Sequence, residues 1–389
     1  MTLNVLAQIV VWLCLAAVLY SYVLYPILLW VFARVFGRLS SAPRTTDDRL
    51  PRVSLLIAAH NEAATIAERL DNALDLDYPP DKLEIVIASD GSCDGTNDIV
   101  SSYCDARVRL LDYRERRGKA AVLNAAFREL RGDIIVLSDA NTMTDRNAVR
   151  SLVRWFHDPE VGVVCGKLVL TDPSTGKNVD SLYWKYETFM KRCESRLGAL
   201  LGANGAIYAI RRELFTGIRK NTLIDDFVIP LLTRLRTGCA IVYDSDAVAY
   251  EETPPSIGSE FKRRARIGTG GFQSIAVLWP LLHPRQGWIA FTFASHKVSR
   301  WLCPFFLITA FVTNIGLVAN HGLYQITFTF QAILYVIAGL GAFSNGPRIA
   351  SKCLRLTTLF AGMNLALLVG FWQWVTTEPQ GVWNRTARS

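Results

Sequence analysis

Charged side chains are missing from long stretches of this 389-residue chain. No Asp, Glu, Lys or Arg occurs before Arg34, none lies between Arg300 and Arg348, and none lies in 356–377. The first stretch is too long for a secretory signal, whose apolar core has about 7–15 residues, so it predicts a spanning helix that stays as an anchor. Asn320–Gly322 divides the second stretch into two segments of roughly 20 residues, the length that a bilayer core requires. Four membrane spans are therefore predicted, with buried core helices as the weaker alternative.

Paired cysteines are also missing. The eight cysteines are scattered as single residues without a CxxC pair. Most lie in the part expected to face the cytoplasm, where thiols stay reduced, so neither a zinc site nor disulfides are predicted. Half of the residues are hydrophobic and only a fifth are charged. This composition is typical of a protein that is partly embedded in a membrane.

The formal charge of +8 points either to nucleic acid or to anionic lipid. The basic residues flank the spans rather than forming one aromatic-interleaved face, so lipid is favoured and no nucleic-acid partner is predicted. By the positive-inside rule the flanking side is cytoplasmic. The residues that set this orientation are Arg34, Arg38, Arg44, Lys297, Arg300, Arg348, Lys352 and Arg355. With four spans the tail lies outside, although its Arg385 and Arg388 would favour the cytoplasmic side. Either the last span is therefore re-entrant, or the number of spans differs from four by one.

Between the spans, strand patterns alternate with helical patterns. Strands are predicted at 53–58, 84–88, 108–111, 133–137, 161–170 and 206–210, and helices at 62–76, 96–103, 119–130, 178–197 and 226–235. Such alternation predicts an α/β fold with a mostly parallel sheet and helices on both faces. The predicted domains are a span at 1–36, a cytoplasmic α/β domain at 37–255, interfacial amphipathic helices at 256–297, three spans at 298–377 and a tail at 378–389.

Carboxylates follow the predicted strands at the edge where open α/β sheets build ligand sites. Asp90 and Asp139 each end a strand, and such acids suit a divalent cation and a phosphorylated ligand. Asp90 can accept a hydrogen bond from a base, and Asp139 can hold a ribose hydroxyl or a cation. Lys119 opens a helix and can reach a phosphate. The alternatives are a plain turn at Asp90–Gly95 and a solvated helix residue at Lys119.

Two further charged groups have two interpretations each. The adjacent acids Asp225 and Asp226 are candidates for a general base, because one carboxylate raises the pKa of the other, or else they cap a helix. The basic cluster Lys262–Arg266 either neutralises a diphosphate leaving group or binds lipid headgroups.

Together these motifs resemble the membrane-bound family 2 glycosyltransferases, the group of the cellulose, chitin and hyaluronan synthases, over nearly the whole chain. The matching segments are Ile57–Glu62 (the Asn-Glu motif), Ser89–Thr96 (the uracil-binding motif), Gly118–Lys119 with Asn124, Ser138–Asn141 (the DxD motif), Gly202–Ala206 (the acceptor loop) and Asp225–Asp226. The resemblance implies a GT-A fold with interface helices and a transmembrane bundle.

The resemblance also implies roles for single residues. Asp226 is the implied catalytic base, and Asp139 with Asn141 would hold Mg²⁺ or Mn²⁺. The implied nucleotide-sugar contacts are Ala59, Asn61, Glu62, Asp90, Lys119, Asp139 and Arg266, and the implied acceptor contacts are Gly202, Asn204, Gly205 and Asp225.

Two positions depart from the family pattern. Asn141 replaces the last carboxylate of the DxD motif, although its amide oxygen can still coordinate a hard cation. Arg263–Ile267 stands where the family has QxxRW, and the missing Trp argues against processive polymerisation.

The function expected from the sequence is inverting transfer from a UDP-sugar to a saccharide acceptor at the plasma (inner) membrane, in exopolysaccharide synthesis. One alternative is a single transfer to a lipid-linked acceptor. The second alternative is a non-catalytic transport or scaffold subunit, which charges inside the spans would favour and the charge-free stretches disfavour.

Overall fold

The chain consists of two compact units. The computed structural model describes residues 3–38, 49–172, 182–253, 257–343, 352–377 and 381. One unit comprises Met1–Leu28, Ser256–Ala276 and Phe293–Glu378, and the other comprises Leu29–Pro255, Val277–Thr292 and Pro379–Ser389. The first unit contains apolar helices, and the second contains a β-sheet.

The second unit is built on an eight-stranded sheet with the order β3-β2-β1-β4-β7-β6-β8-β5. The strands are β1 (Val53–Ala59), β2 (Leu83–Asp90), β3 (Val108–Tyr113), β4 (Ile134–Asp139), β5 (Met143–Thr144), β6 (Val161–Thr171), β7 (Tyr208–Arg211) and β8 (Ala240–Glu252). The neighbours β3-β2-β1-β4 are all parallel, and β6 is parallel to β8. The antiparallel pairs are β4-β7, β6-β7 and β5-β8. The prediction of a mostly parallel sheet is confirmed.

The central strands are apolar and covered. All seven residues of β1 are buried, as is typical of a parallel strand with both faces covered. Its inward residues Leu55 and Ile57 join Ile85, Ile87 and Val136 in the main core of this unit. Burial of these side chains holds the strand ends rigidly, so the loops at that edge start from fixed positions.

Helices connect the strands and form the first unit. They are α1 (Leu3–Leu19), α2 (Tyr25–Val35), α3 (Ile66–Leu74), α4 (Thr96–Ser101), α5 (Lys119–Ala126), α6 (Ala148–Val153), α7 (Leu182–Arg196), α8 (Asp225–Thr237), α9 (Ile257–Leu278), α10 (Trp288–Thr292), α11 (Ser299–Ile315), α12 (Gly322–Phe343) and α13 (Lys352–Thr376). Short π-helices at Tyr20–Leu24 and Phe293–Val298 join α1 to α2 and α10 to α11.

Some elements were not predicted from the sequence. The long strand β8 was missed because Asp244 and Asp246 interrupt its apolar pattern. The structure compensates these charges with Arg154, whose guanidinium lies 2.7 Å from each carboxylate. The helix α9 is one continuous 22-residue helix rather than the short pieces expected from its glycines. The predicted start of α7 at 178–181, most of the linker and the tail lie outside the described residues.

Within the described ranges, four helices are long and apolar enough to cross a membrane, by length and composition. They are Asn4–Val35, Trp288–Ile315, Gly322–Leu340 and Leu356–Thr376. Their number agrees with the four predicted spans. Two of these helices also contain charged residues, Arg34 in the first and Lys297 with Arg300 in the second. The guanidinium of Arg300 lies 5.7 Å from the ring centre of Tyr22, a cation–π contact within the first unit.

Candidate active site

The two predicted carboxylates meet at one edge of the sheet. Strand β1 lies between β2 and β4, and its last residues pair with Ser89 and with Asp139. Asp90 ends β2 and Asp139 ends β4, so the two acids lie at the same carboxyl edge with only β1 between their strands. Parallel strands bring their carboxyl ends together in this way, which is why ligand sites form there.

Asp90 supports the loop that precedes α5. Its side chain is buried, and its two oxygens accept hydrogen bonds from the backbone N–H groups of Arg117 (2.6 Å) and Gly118 (2.9 Å). Gly118 has a φ of +87°, a conformation that favours glycine. The predicted contact of Asp90 with a base stays a prediction, and the structure adds a role in positioning the start of α5.

The Asn-Glu segment braces the loops after β1 and β2. Asn61 has a φ of +55°, and its side-chain oxygen accepts a hydrogen bond from the N–H of Cys93 at 2.9 Å. The N–H of Glu62 donates to the hydroxyl of Thr96 at 2.9 Å. Ala59 is fully buried at the end of β1. These three predicted nucleotide contacts thus lie beside the Asp90 turn, and their ligand roles stay predictions.

Lys119 forms ion pairs with one predicted donor-site acid and one predicted acceptor-site acid. It is the first residue of α5, and its ammonium nitrogen lies 2.8 Å from Asp139 and 3.2 Å from Asp225. Burial by itself would lower the pKa of Lys119, but the two carboxylates outweigh burial and raise it. Lys119 is therefore a fixed cation between two of the predicted site acids rather than a solvated helix residue.

Asp226 is the acid of this group without a partner. Asp225 and Asp226 are the first two residues of α8, and the capping position is held by Ile224, so neither acid is the cap. The Asp226 side chain is half-buried, and no described residue forms a hydrogen bond or ion pair with its carboxyl group. Burial first and then the neighbouring Asp225 raise the pKa of Asp226, Lys119 opposes the shift, and the net pKa is about 6. An acid with this pKa suits a general base.

The predicted acceptor loop packs against both acids. Gly202 has a φ of +75°, and the next N–H, that of Ala203, donates to the backbone oxygen of Asp226 at 2.9 Å. A Cβ at Gly205 would lie only 2.8 Å from a carboxylate oxygen of Asp139, so glycine leaves room for that carboxylate. Asn204 donates to the carbonyl of Gly166 at 2.7 Å. Asn204 is thereby tied to β6, and its predicted acceptor contact stays a prediction.

Two buried residues near these acids were not predicted from the sequence. Tyr208 on β7 is 1% exposed, lines a small cavity with Lys119, Asp139 and Asp225, and has no hydrogen-bond partner for its hydroxyl among the described residues. Burial and the surrounding carboxylates raise its pKa well above the usual value. Arg69 on α3 is fully buried; burial lowers its pKa to about 10, and nearby Asp139 opposes that shift. A tyrosine in a strand and an arginine in an amphipathic helix look ordinary in sequence.

Asp139 and Asn141 offer oxygen ligands, which Mg²⁺ and Mn²⁺ prefer. No group of three or more His, Cys, Asp or Glu side chains in the described part of the chain is arranged to hold a metal. A Mg²⁺ ion is commonly bound by one or two carboxylates together with substrate phosphates, so a pair of protein oxygens fits such an ion. Glycine at 205 leaves room for the Asp139 carboxylate, one of whose oxygens already contacts Lys119 at 2.8 Å.

Arg266 lies on α9, in the unit that contains the apolar helices. Its neighbours Arg263 and Arg264 form ion pairs with Glu260, at 2.8 Å and 2.6 Å. The predicted contact of Arg266 with a diphosphate stays a prediction.

The sheet order and its helices define the class of fold, which is a GT-A fold. The structure superposes on a mannosyltransferase of Pyrobaculum calidifontis, solved with GDP-Man and Mn²⁺, with a TM-score of 0.71. That likeness covers 96% of this chain and 99% of the mannosyltransferase at 24% identity, and it shows the shared fold. Residues 54–218 match the model of the family "Glycosyl transferase family 2". The chain thus carries a family 2 glycosyltransferase domain, and the resemblance derived from its motifs is confirmed.

Curated relatives agree with this family. A poly-beta-1,6-N-acetyl-D-glucosamine synthase of Staphylococcus aureus is 28% identical over 242 residues, which are 60% of this chain and 58% of the relative. The probable glycosyltransferase YdaM of Bacillus subtilis is 28% identical over 239 residues, covering 58% of this chain and 57% of the relative. The chain thus matches less than two thirds of the length of these relatives.

Proposed function

We propose that this protein is an inverting glycosyltransferase that moves a sugar from a UDP-sugar to a saccharide acceptor at the membrane, in exopolysaccharide synthesis. The observation that carries the proposal is the carboxyl group of Asp226, which is half-buried and unbonded beside the Lys119–Asp139–Asp225 cluster. A carboxylate with a raised pKa and no partner in the chain is available to an incoming hydroxyl group. The similarity to a poly-beta-1,6-N-acetyl-D-glucosamine synthase favours a polysaccharide product.

The donor would bind at the edge that Asp90 and Asp139 share. Lys119 at the amino terminus of α5 would supply a cation, and the helix amino terminus would favour the negative charge of a phosphate. Asp139 and Asn141 would hold Mg²⁺ or Mn²⁺, which when bound neutralises the diphosphate of the leaving group. The uracil-type motif at Asp90 favours UDP. Arg266 is proposed to contact the same diphosphate.

Asp226 would carry out the proton transfer. It removes the proton from the acceptor hydroxyl, whose oxygen attacks the anomeric carbon on the face opposite the leaving UDP. The configuration at that carbon therefore inverts. Gly202, Asn204, Gly205 and Asp225 are proposed to shape the acceptor side. The apolar helices would place this chemistry at the plasma (inner) membrane, as a multi-pass protein with a cytoplasmic catalytic domain and the five domains predicted above.

A lipid-linked acceptor is the second candidate. The segment Arg263–Ile267 lacks the Trp that the resemblance places beneath a growing polymer, which favours a single transfer. The headgroup of a lipid acceptor would then take the place of the polysaccharide end.

A labelled donor distinguishes these possibilities. The purified chain in lipid nanodiscs is incubated with UDP-N-acetylglucosamine and other UDP-sugars, with and without Mn²⁺ or Mg²⁺, and both UDP release and product length are measured. Metal-dependent UDP release with a ladder of polymers supports the first candidate, and one labelled glycolipid supports the second. No UDP release from any UDP-sugar in the presence of metal and acceptor would reject both and favour the scaffold alternative.

A further inference from the structure

The buried guanidinium of Arg69 is costly to the fold. Arg69 is 0% exposed and is the largest fully buried side chain of the described chain. Its Nε has no hydrogen-bond partner, and no carboxylate of the described residues lies within ion-pair distance. Burial of a charge without an ion pair is unfavourable, and an apolar side chain of similar size would stabilise such a position better. Stability therefore gives no reason for an arginine here.

The contacts of Arg69 lead to the two loops of the candidate site. One terminal nitrogen donates to the hydroxyl of Ser138 at 3.2 Å, and this hydroxyl donates to the carbonyl of Ala206 at 2.7 Å. Ser138 precedes Asp139, and Ala206 follows Gly205, the glycine that leaves room for the Asp139 carboxylate. One guanidinium thus fixes the start of the Asp139 loop relative to the acceptor loop.

Asn72 holds the other end of the same loop. It lies three residues after Arg69 on α3, so both side chains leave the same face of the helix. Its amide oxygen accepts from Arg69 at 3.1 Å and from the N–H of Thr144 at 2.8 Å, and its nitrogen donates to the carbonyl of Thr144 at 2.9 Å. The segment Ser138–Thr144 is therefore held at both ends by one linked pair of side chains.

We propose that Arg69 and Asn72 are positioning residues that set the geometry of Asp139 and Asn141 toward a divalent cation. This inference rests on the proposed function, in which those two residues contribute oxygen ligands. A small cation such as Mg²⁺ demands near-ideal ligand positions, and both protein ligands lie on the short segment that the pair holds. Removal of residues that support metal ligands typically weakens metal binding about 10- to 100-fold.

The test measures metal binding rather than activity alone. The full chain in nanodiscs is titrated with Mn²⁺ in the presence of UDP, and free Mn²⁺ is followed by electron paramagnetic resonance. Arg69→Met and Asn72→Ala should each raise the apparent Mn²⁺ dissociation constant about 10- to 100-fold. UDP binding at saturating Mn²⁺ should stay close to wild type. Arg69→Lys, which keeps a donor for Ser138, should recover part of the loss.

Arg211→Met is the matched control. Its guanidinium donates to the carbonyls of Phe156, Asp158 and Val161, so it supports the fold away from the Asp139 loop. This variant should lose thermal stability while keeping wild-type Mn²⁺ affinity.

Unchanged Mn²⁺ affinity in Asn72→Ala and Arg69→Met, or an equal loss in Arg211→Met, would overturn the proposal. Should Arg69→Met fail to fold, the half-buried Asn72 decides the question, because its replacement removes no buried charge. A wild-type chain that binds Mn²⁺ and UDP but transfers no sugar would reject the proposed function. The Mn²⁺ affinities of the variants could still be compared with that of the wild type.

Discussion

The two sides of the candidate site differ in how their polar groups are satisfied. On the donor side, Asp90 and Asp139 are already bonded to the chain, through two backbone N–H groups and through Lys119. On the side proposed for the acceptor, the carboxyl of Asp226 has no partner among the described residues. The hydroxyl of Tyr208, in the cavity with Lys119 and Asp139, also has none among them. Buried polar groups are normally paired, so an unpaired carboxyl group beside a polar cluster is a candidate for contact with a substrate. In the proposed function the paired acids hold the loops and the cation, and the unpaired Asp226 takes the proton.

Replacement of Asp226 should break this contrast most severely. Asp226→Asn removes the proposed base, so turnover should fall about 10²- to 10⁴-fold while UDP binding stays intact. Thermal stability should be equal or higher, because the ionised carboxylate is unfavourable in its half-buried place. Turnover is measured as UDP release, and binding by calorimetry.

The control for this substitution is Asp246→Asn, at an exposed acid on β8 that pairs with Arg154. It removes a carboxylate without touching the site, so turnover should stay near wild type. If Asp226→Asn kept most of the activity, another group would have to be the base.

The pH dependence should report the same carboxyl group. Asp226 must be ionised to accept a proton, and its pKa is raised to about 6. Below pH 6 the value of kcat/KM should therefore fall tenfold per pH unit, and above pH 6 it should level off. The folded chain also binds this proton more tightly than the unfolded chain. The stabilisation from that proton is fully present below the ordinary pKa of 3.8 and is lost as pH rises through 6. The stability gain of Asp226→Asn should accordingly be seen above pH 6 and vanish in acid.

Replacement of Asp90 should damage the fold of the donor side. Asn keeps one acceptor oxygen but turns an NH₂ group toward an N–H donor, so Asp90→Asn should lower the free energy of unfolding by about 1–3 kcal/mol. The donor KM should rise as the start of α5 shifts. Thermal unfolding checks the first effect, with Asp81→Asn at an exposed position as control. An unchanged unfolding midpoint would contradict the supporting role assigned to Asp90.

The smallest effect is expected at Tyr208. Because its buried hydroxyl has no partner among the described residues, Tyr208→Phe should leave the free energy of unfolding nearly unchanged or raise it slightly. Tyr78→Phe is the matched comparison, since that buried hydroxyl donates to the carbonyl of Pro51 at 2.6 Å and its loss should cost about 1 kcal/mol. Equal losses in both variants would show that the Tyr208 hydroxyl is bonded after all.

Local patterns in the sequence were sufficient for much of the fold. The strand β1 was predicted as 53–58 and is Val53–Ala59. A short continuous apolar run between turn residues is typical of a fully buried strand. The helix α3 was predicted as 62–76, but it is the shorter Ile66–Leu74, since the residues around Glu62 brace the Asp90 turn instead. The strand β8 was missed because its acids are compensated by Arg154, a partner about 90 residues away.

By itself the sequence determined the apolar helices, the parallel half of the sheet and the family, since each depends on residues near one another in the chain. Only the tertiary structure decided which acids are paired, that Lys119 lies between Asp139 and Asp225, and that Arg69 reaches the Asp139 loop from another helix. Hydrogen bonds and pKa values depend on distances of a few ångströms between residues far apart in sequence. Such distances exist only once the sheet has assembled.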